Sequence, residues 1–322
     1  MFKMAVGYSD DVDEGDAIAE ALEAAASSLE DETPTAGVLF AGNDYDHEPL
    51  VAEVLRRYPD INLIGCAANA QMSTESGFAD VGVTLTLFAS DVIDITGGVG
   101  ENVTADPAGA AKQAAQQAMA ATDKEPALAI AFTDLLQTDL DVVVAAMAEN
   151  LGEGVPVIGG ASAPEDFRVT PWKTTQFFGD RVLSDAVPIL LLSGPLKYST
   201  AVAHGWSPTG KQATVTQSER NQVEAIGDET VMDYYRNYLG DDMGSLFAHP
   251  LAVYHTDDSF LLRAVTGADE ETGNASFMGQ VPEGSTVQVS MTTVPDILDA
   301  AKQALNDALE LYPGPDQPEG AF

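Results

Sequence analysis

The chain has 322 residues, 45% apolar, with 51 acids against 14 bases, a net charge of −37 and a pI near 4.1. So much apolar side chain excludes an acidic disordered tail and gives a sizeable core, over a length that predicts two domains. The charge excludes a phosphate-tracking nucleic-acid binder and an anionic membrane surface as partners. Molar salt shrinks the screening length to about 3 Å, so the composition predicts an acidic protein of a salt-in, halophile-type cytoplasm.

In chain order, the first element is a helix burying Ala17, Ile18, Ala21, Leu22, Ala25 and Leu29. Short apolar runs at 38–41 and 128–132 read as buried strands. Each is followed by a helix, with Leu50, Val51, Val54, Leu55 and Tyr58 in the first case and Leu140, Val143, Val144 and Met147 in the second. Each helix then leads into an Ile-Gly loop, Ile64-Gly65 and Ile158-Gly159. The segments 37–70 and 128–163 are thus two copies of one strand–helix–strand unit. A second Ala-rich helix, with Ala111, Ala114, Ala115, Ala118 and Met119, starts at Asp106 as N-cap with Pro107 at N1.

Strand pairs are expected after each loop, 82–87 with 92–95 and 187–192 with 198–203. From Gln212 the texture changes, with strands at 213–217, 221–226, 251–254, 260–265 and 286–291 and a short aromatic helix at 229–238. A final helix opens on a Thr293/Asp296 capping box and lines up Val294, Ile297, Leu298, Ala301, Leu305 and Leu309. The expected fold class is α/β. Duplicated β-α-β units form a pseudo-symmetric domain over 1–206 (units 1–100 and 101–206), and a mixed, largely antiparallel α+β domain follows over 207–322. The last helix should be followed by a core strand, so the second domain is expected to be cut short at its C-terminus.

One cysteine, Cys66, excludes an internal disulfide and a cysteine-based metal cage. No secretory leader or 20-residue apolar span is evident, so a cytoplasmic location is expected. P-loop, GxGxxG and GxSxG patterns are missing, the histidines show no ligand spacing, and no cofactor is expected.

Open α/β sheets bind ligands beyond the carboxyl ends of their strands, where both Ile-Gly loops fall. Gly65, Gly159 and Gly160 allow close backbone approach, and Cys66, Asn69, Ser162 and Thr170 can hydrogen-bond a small solute. The alternative is that these small residues only permit tight packing. Cys66 with His204 as base is a candidate nucleophile, against the commoner role of a buried small hydrophobe. His204 equally suits a structural hydrogen bond. Arg168, Arg181 and Arg263 could clamp an anion or satisfy structural acids, and Trp172, Trp206 and Phe178 could wall a pocket or pack in the core.

The segments LIGCAA (63–68), VIGGASA (157–163) and AHGWSPTG (203–210) resemble the FIST family, F-box and intracellular signal transduction proteins. The resemblance continues through Val215-Thr216, Asn221-Gln222-Val223, FLLRA (260–264) and GQVPEG (279–284), in order along nearly the whole chain. It implies a non-enzymatic sensory module that binds a small polar metabolite such as an amino acid or derivative, with relatives fused to kinase, chemoreceptor or F-box domains. No output domain is present, so a signal would pass to a separate protein. The family's later strand with a Cys and an Arg, and its Gly-rich segment, are also missing. The competing expectations are a Cys66-dependent hydrolase or acyl transferase and a non-enzymatic interaction scaffold.

Overall fold

The structure, a computed structural model, describes residues 1–134, 139–164, 173–240, 243–256, 259–315 and 317–321. It divides into two compact units, Met1–Lys197 with Asp316–Phe322, and Tyr198–Pro315.

The first unit begins with β1 (Phe2–Ser9), α1 (Glu14–Leu29), β2 (Ala36–Ala41), α2 (His47–Arg57) and β3 (Asn62–Ala67). A short hairpin, β4 (Gln71–Ser73) and β5 (Gly77–Ala79), leads to β6 (Val83–Ser90). The pattern then repeats as β7 (Asp94–Glu101), α3 (Pro107–Met119), β8 (Pro126–Asp134), α4 (Leu140–Leu151) and β9 (Val157–Ser162). A second hairpin, β10 (Gln176–Phe178) and β11 (Arg181–Leu183), leads to β12 (Ala186–Ser193). The strand order β1-β6-β2-β3 in one sheet has its counterpart in β7-β12-β8-β9 in the other. Directions agree as well: in each copy the first two strands run antiparallel to the last, and the second runs parallel to the third.

Two sequence expectations are corrected here. Residues 92–95 do not pair back on 82–87; they lead into β7, which opens the second sheet beside β12, so the second copy starts at Asp94 and not at 101. Residues 198–203 form no strand, because β12 already has β7 on one side and β8 on the other and offers no edge.

Helix faces and caps follow from the residue pattern. Asp13 caps α1 by accepting from Gly15 and Asp16 N–H at 3.0 and 3.1 Å, and Asp106 caps α3 through Gly109 N–H at 2.9 Å. Ala17, Ile18, Ala21, Leu22, Ala25 and Leu29 of α1 are all buried, packing with α2 on Leu39, Leu63, Leu85 and Leu87 of the first sheet. The alanines of α3 and Val143 and Met147 of α4 cover the second sheet in the same way, whereas Val144 is exposed. Because strand side chains alternate, the opposite faces of the sheets meet in a third apolar layer. Val38, Ile64 and Phe88 there face Ile95, Ile130, Phe132 and Leu190. The unit is therefore helix–sheet–sheet–helix in section.

The second unit comprises β13 (Ser207–Glu219), β14 (Gln222–Ile226), β15 (Glu229–Thr230), α5 (Val231–Leu239), β16 (Leu251–Thr256), β17 (Ser259–Arg263), β18 (Val265–Ala268), β19 (Ala275–Phe277), β20 (Thr286–Met291) and α6 (Val294–Leu311). Its strands form one antiparallel sheet, β17-β16-β20-β13-β14-β19-β18, with β15 on β14. Val231, Met232, Tyr234 and Tyr235 of α5 are buried in its core. The Thr293/Asp296 capping box of α6 is formed, but Val294, Ile297, Leu298, Leu305 and Leu309 of its apolar face are exposed. Among the described residues, no helix is long and apolar enough to cross a membrane.

Candidate functional site

In the first unit, β2 and β3 of one copy and β8 and β9 of the other end beside a cavity of about 860 Å³. Its walls combine the inner face of the first sheet (Met4, Val6, Phe40, Cys66, Thr84, Thr86) with Phe132 and the Ile158–Ala161 stretch of the second. Phe40 and Phe132, from the two sheets, meet edge-on with centroids 5.1 Å apart in its wall. The β3 loop 67–70, Met72, Ser73 and Thr74 of the first hairpin, Ala163, and Glu319, Gly320 and Ala321 complete the lining.

The cavity brings together Gly65's neighbour Cys66, Asn69, Gly159 and Gly160 among the residues singled out from sequence. Gly65 itself lies under the lining. A Cβ there would stand 1.9 Å from the Leu39 carbonyl oxygen, and one at Gly159 would stand 1.9 Å from the Ala131 carbonyl oxygen. Both glycines are thus required by close backbone approach, which is the packing alternative raised above. Gly160 differs, since a Cβ there meets nothing within 4 Å.

Asn69 is already occupied with protein. Its side-chain N–H donates to Pro164 O at 3.0 Å and its oxygen accepts from Asn43 at 2.7 Å, so it ties the two strand-end loops together. Ser162 is buried outside the lining. Its hydroxyl donates to Thr133 O at 3.2 Å and accepts from Gln176, which also donates to Thr174 Oγ1 at 3.0 Å. Thr174 in turn donates to the buried Asp134 carboxylate. Arg168, Thr170 and Trp172 lie outside the described residues.

His204 and Trp206 belong to the second unit and Cys66 to the first. His204 Nδ1 accepts the Trp206 backbone N–H at 3.1 Å, and the Trp206 indole N–H donates to Ala248 O at 3.3 Å, both structural contacts. Arg181 pairs with Glu101 at 2.7 Å and Arg263 donates to Gln280 O at 3.0 Å, so both serve structural acceptors. Phe178 packs against the layer between the sheets.

Sequence reasoning missed Thr84, Thr86, Met4, Phe40 and Phe132, which come from strand interiors. Nothing local in the sequence tells which face of which packed sheet these strand residues occupy. Thr84 Oγ1 donates to Gln71 at 2.5 Å, whereas Thr86, also on the cavity wall, makes no side-chain hydrogen bond to the described residues.

Burial pushes the Cys66 thiol up to about 12, so at neutral pH it holds its proton and is a poor nucleophile. We expect iodoacetamide to leave native Cys66 unmodified at pH 8 and to alkylate it once the chain is unfolded, as intact mass would show. The linkage has a definite sign. The unfolded chain loses this proton from about pH 8.5 upward while the folded chain keeps it, so the contribution is complete below that pH and fades toward pH 12. Cys66→Ala should therefore flatten the alkaline fall in stability. Rapid native alkylation would show instead that the thiol is open and ionised.

Similar solved structures are cyanuric acid hydrolases. One, described under evolutionary innovation by structural concatenation, is 13% identical, with 61% of this chain and 68% of that chain covered and a TM-score of 0.30. Another, from A. caulinodans, is 11% identical, with 79% and 80% covered and a TM-score of 0.32. No curated protein matches. Residues 35–229 match the FIST N domain and residues 232–322 the FIST C domain, and on that coverage the chain belongs to the FIST family.

Proposed function

We propose that the chain is a signal-transduction sensor that holds a small molecule in the cavity between the two sheets. FIST domains are linked to signal-transduction sensing. The observation that carries the specific reading is the cavity itself: about 860 Å³, at the ends of the duplicated strands, walled by both copies. A ligand there touches both repeats at once and can report its presence through their packing. A change in that packing would pass to a separate output protein.

The lining narrows the ligand. Methionines, phenylalanines and alanines dominate it, Ser73, Thr74, Thr84 and Thr86 add hydroxyl-bearing side chains, and Glu319 is its charged side chain among the described residues. A molecule with an apolar body and one uncharged hydrogen-bonding end suits this wall. Within the class of amino acids and their derivatives, a neutral derivative fits better than a free zwitterion, whose carboxylate would be desolvated beside Glu319.

The experiment is a thermal-shift screen in multimolar KCl against amino acids, their neutral derivatives and the uncharged dye N-phenyl-1-naphthylamine. Saturation at about 100 Kd adds about 2.7 kcal/mol, or roughly 5–10 °C in midpoint. Ala161→Trp, which fills the cavity, should abolish dye fluorescence while keeping the circular dichroism of the folded chain. Silence across the whole panel with the fold intact would overturn the reading, as would equal dye binding by Ala161→Trp.

A further inference from the structure

The two copies carry equivalent hairpins in unequal positions. Each hairpin lies between the third and last strands of its copy and opens on a glutamine, Gln71 in β4 and Gln176 in β10. Each glutamine is anchored to the residue just ahead of or at the start of the last strand. Gln71 donates to Gly82 O, and Gln176 accepts from Ala186 N–H at 3.3 Å. There the likeness ends. β10 crosses to the other copy and pairs with the edge of β3, setting Gln176 opposite Cys66, Phe177 opposite Gly65 and Phe178 opposite Ile64. Among the described residues the hairpin β4–β5 pairs with itself, as a separate two-stranded ribbon.

The strand equivalent to β3 is β9, and its edge away from β8 has no strand partner among the described residues. Ile158, Gly159 and Gly160 take the places of Ile64, Gly65 and Cys66, and both glycines are exposed. The free hairpin carries matching unpaired surface. Met72 is 80% and Phe78 71% exposed, whereas Phe177, which occupies the place of Met72, is fully buried. Met72 and Ser73 on one side and Ile158, Gly159 and Gly160 on the other all line the same cavity.

We propose that the β4–β5 hairpin is the closing wall of this cavity, swinging from its Gln71 anchor to pair β4 with the edge of β9 that has no strand partner among the described residues. Internal symmetry supplies the register: Gln71 opposite Gly160, Met72 opposite Gly159 and Ser73 opposite Ile158. The hydrogen-bonding groups on that edge of β9 gain partners. Met72 and Phe78, whose counterparts Phe177 and Val182 pack on the helix side of the first sheet, leave water for the α4 side of β9, and Ser73, the counterpart of Phe178, turns toward the cavity. Closure regulates the ligand site proposed above and rests on that reading. It converts occupancy into a changed surface.

The test uses the full chain in multimolar KCl, with Cys66→Ala as background. Ser73→Cys together with Ile158→Cys places two thiols directly opposite in the closed register, where Cβ atoms are about 5 Å apart. Under mild oxidation with diamide this pair should form an intrachain disulfide at least about tenfold faster than Glu75→Cys with Ile158→Cys, in which one thiol sits at the hairpin tip. The locked form should release N-phenyl-1-naphthylamine at least about tenfold more slowly than its reduced form. If Ile158→Cys impairs folding, hydrogen exchange on the unaltered chain serves: amides at 72–73 and 158–160 should slow when the dye is added. Cross-linking no faster than the tip control, or exchange unchanged by bound dye, would overturn the closure. Dye binding without cross-linking sinks the closure alone, whereas fast cross-linking in a chain that binds no dye upholds the closure and sinks the ligand reading.

Discussion

Gly65→Ala and Gly159→Ala should each destabilise the chain by about 3 kcal/mol, while Gly160→Ala, one residue on, should stay within about 0.5 kcal/mol of the parent. The reasons are geometric. A methyl group at Gly65 would stand 1.9 Å from the Leu39 carbonyl oxygen, one at Gly159 would stand 1.9 Å from the Ala131 carbonyl oxygen, and both obstacles are backbone in the neighbouring strand. A side chain could rotate away; a paired strand can only shift with its whole sheet. Gly159 adds a φ of +136°, which an L-residue adopts at a cost. At Gly160 the added methyl meets open space, with no positive φ to relieve. Denaturant midpoints of the three variants in the same salt would decide the matter. Equal losses at all three positions would mean that the loop as a whole, rather than the two close approaches, sets the requirement.

The second large effect is on salt. Fifty-one acids face 14 bases, and pairs such as Lys3–Glu30, Lys124–Asp94 and Arg236–Asp233 lie on the surface, where solvent screens them and they add little. At that ratio most carboxylates cannot be paired with a base, and their mutual repulsion is left to the solvent to screen. At 0.1 M the screening length is about 10 Å and at 1 M about 3 Å, so their repulsion is felt in the first condition and nearly gone in the second. The unfolding midpoint should climb by roughly 10 °C or more between 0.1 and 2 M KCl, corresponding to a few kcal/mol for a chain of this size. A midpoint independent of salt would show that the acids are spaced widely enough to ignore each other. It would also remove the reading of the charge as an adaptation to a high-salt cytoplasm.

The sequence disclosed those parts of the fold whose signal is local. The alanine face of α1, the Asp106-Pro107 start of α3 and the Thr293/Asp296 box are written within one or two turns of helix, and the structure contains each of them. The hairpin β10–β11 was hidden because its strands are three residues long and its partner β3 lies more than a hundred positions earlier. β7 was misplaced because Gly97, Gly98 and Gly100 weaken its apolar pattern. Those glycines answer to packing: a Cβ at Gly98 or Gly100 would press into the backbone of α3 at Ala114 or Ala110. For α6 the periodicity correctly marked an apolar face, but periodicity describes a helix and says nothing about what covers it. The candidate site was half legible for the same reason. Its loop residues stood out by composition, whereas Phe40, Thr86 and Phe132 enter only once two sheets are stacked face to face.

The duplication gives this molecule an internal control. Gly65 and Gly159, Gln71 and Gln176, and the two hairpins are twins that share one chain, one solvent and one folding history. When both twins respond alike to a perturbation, the response belongs to the common scaffold. When one hairpin responds and the other, already fastened to β3, does not, the difference belongs to the unfastened arm. A single spectrum of the intact chain can therefore separate architecture from signal, with no second protein needed as a reference.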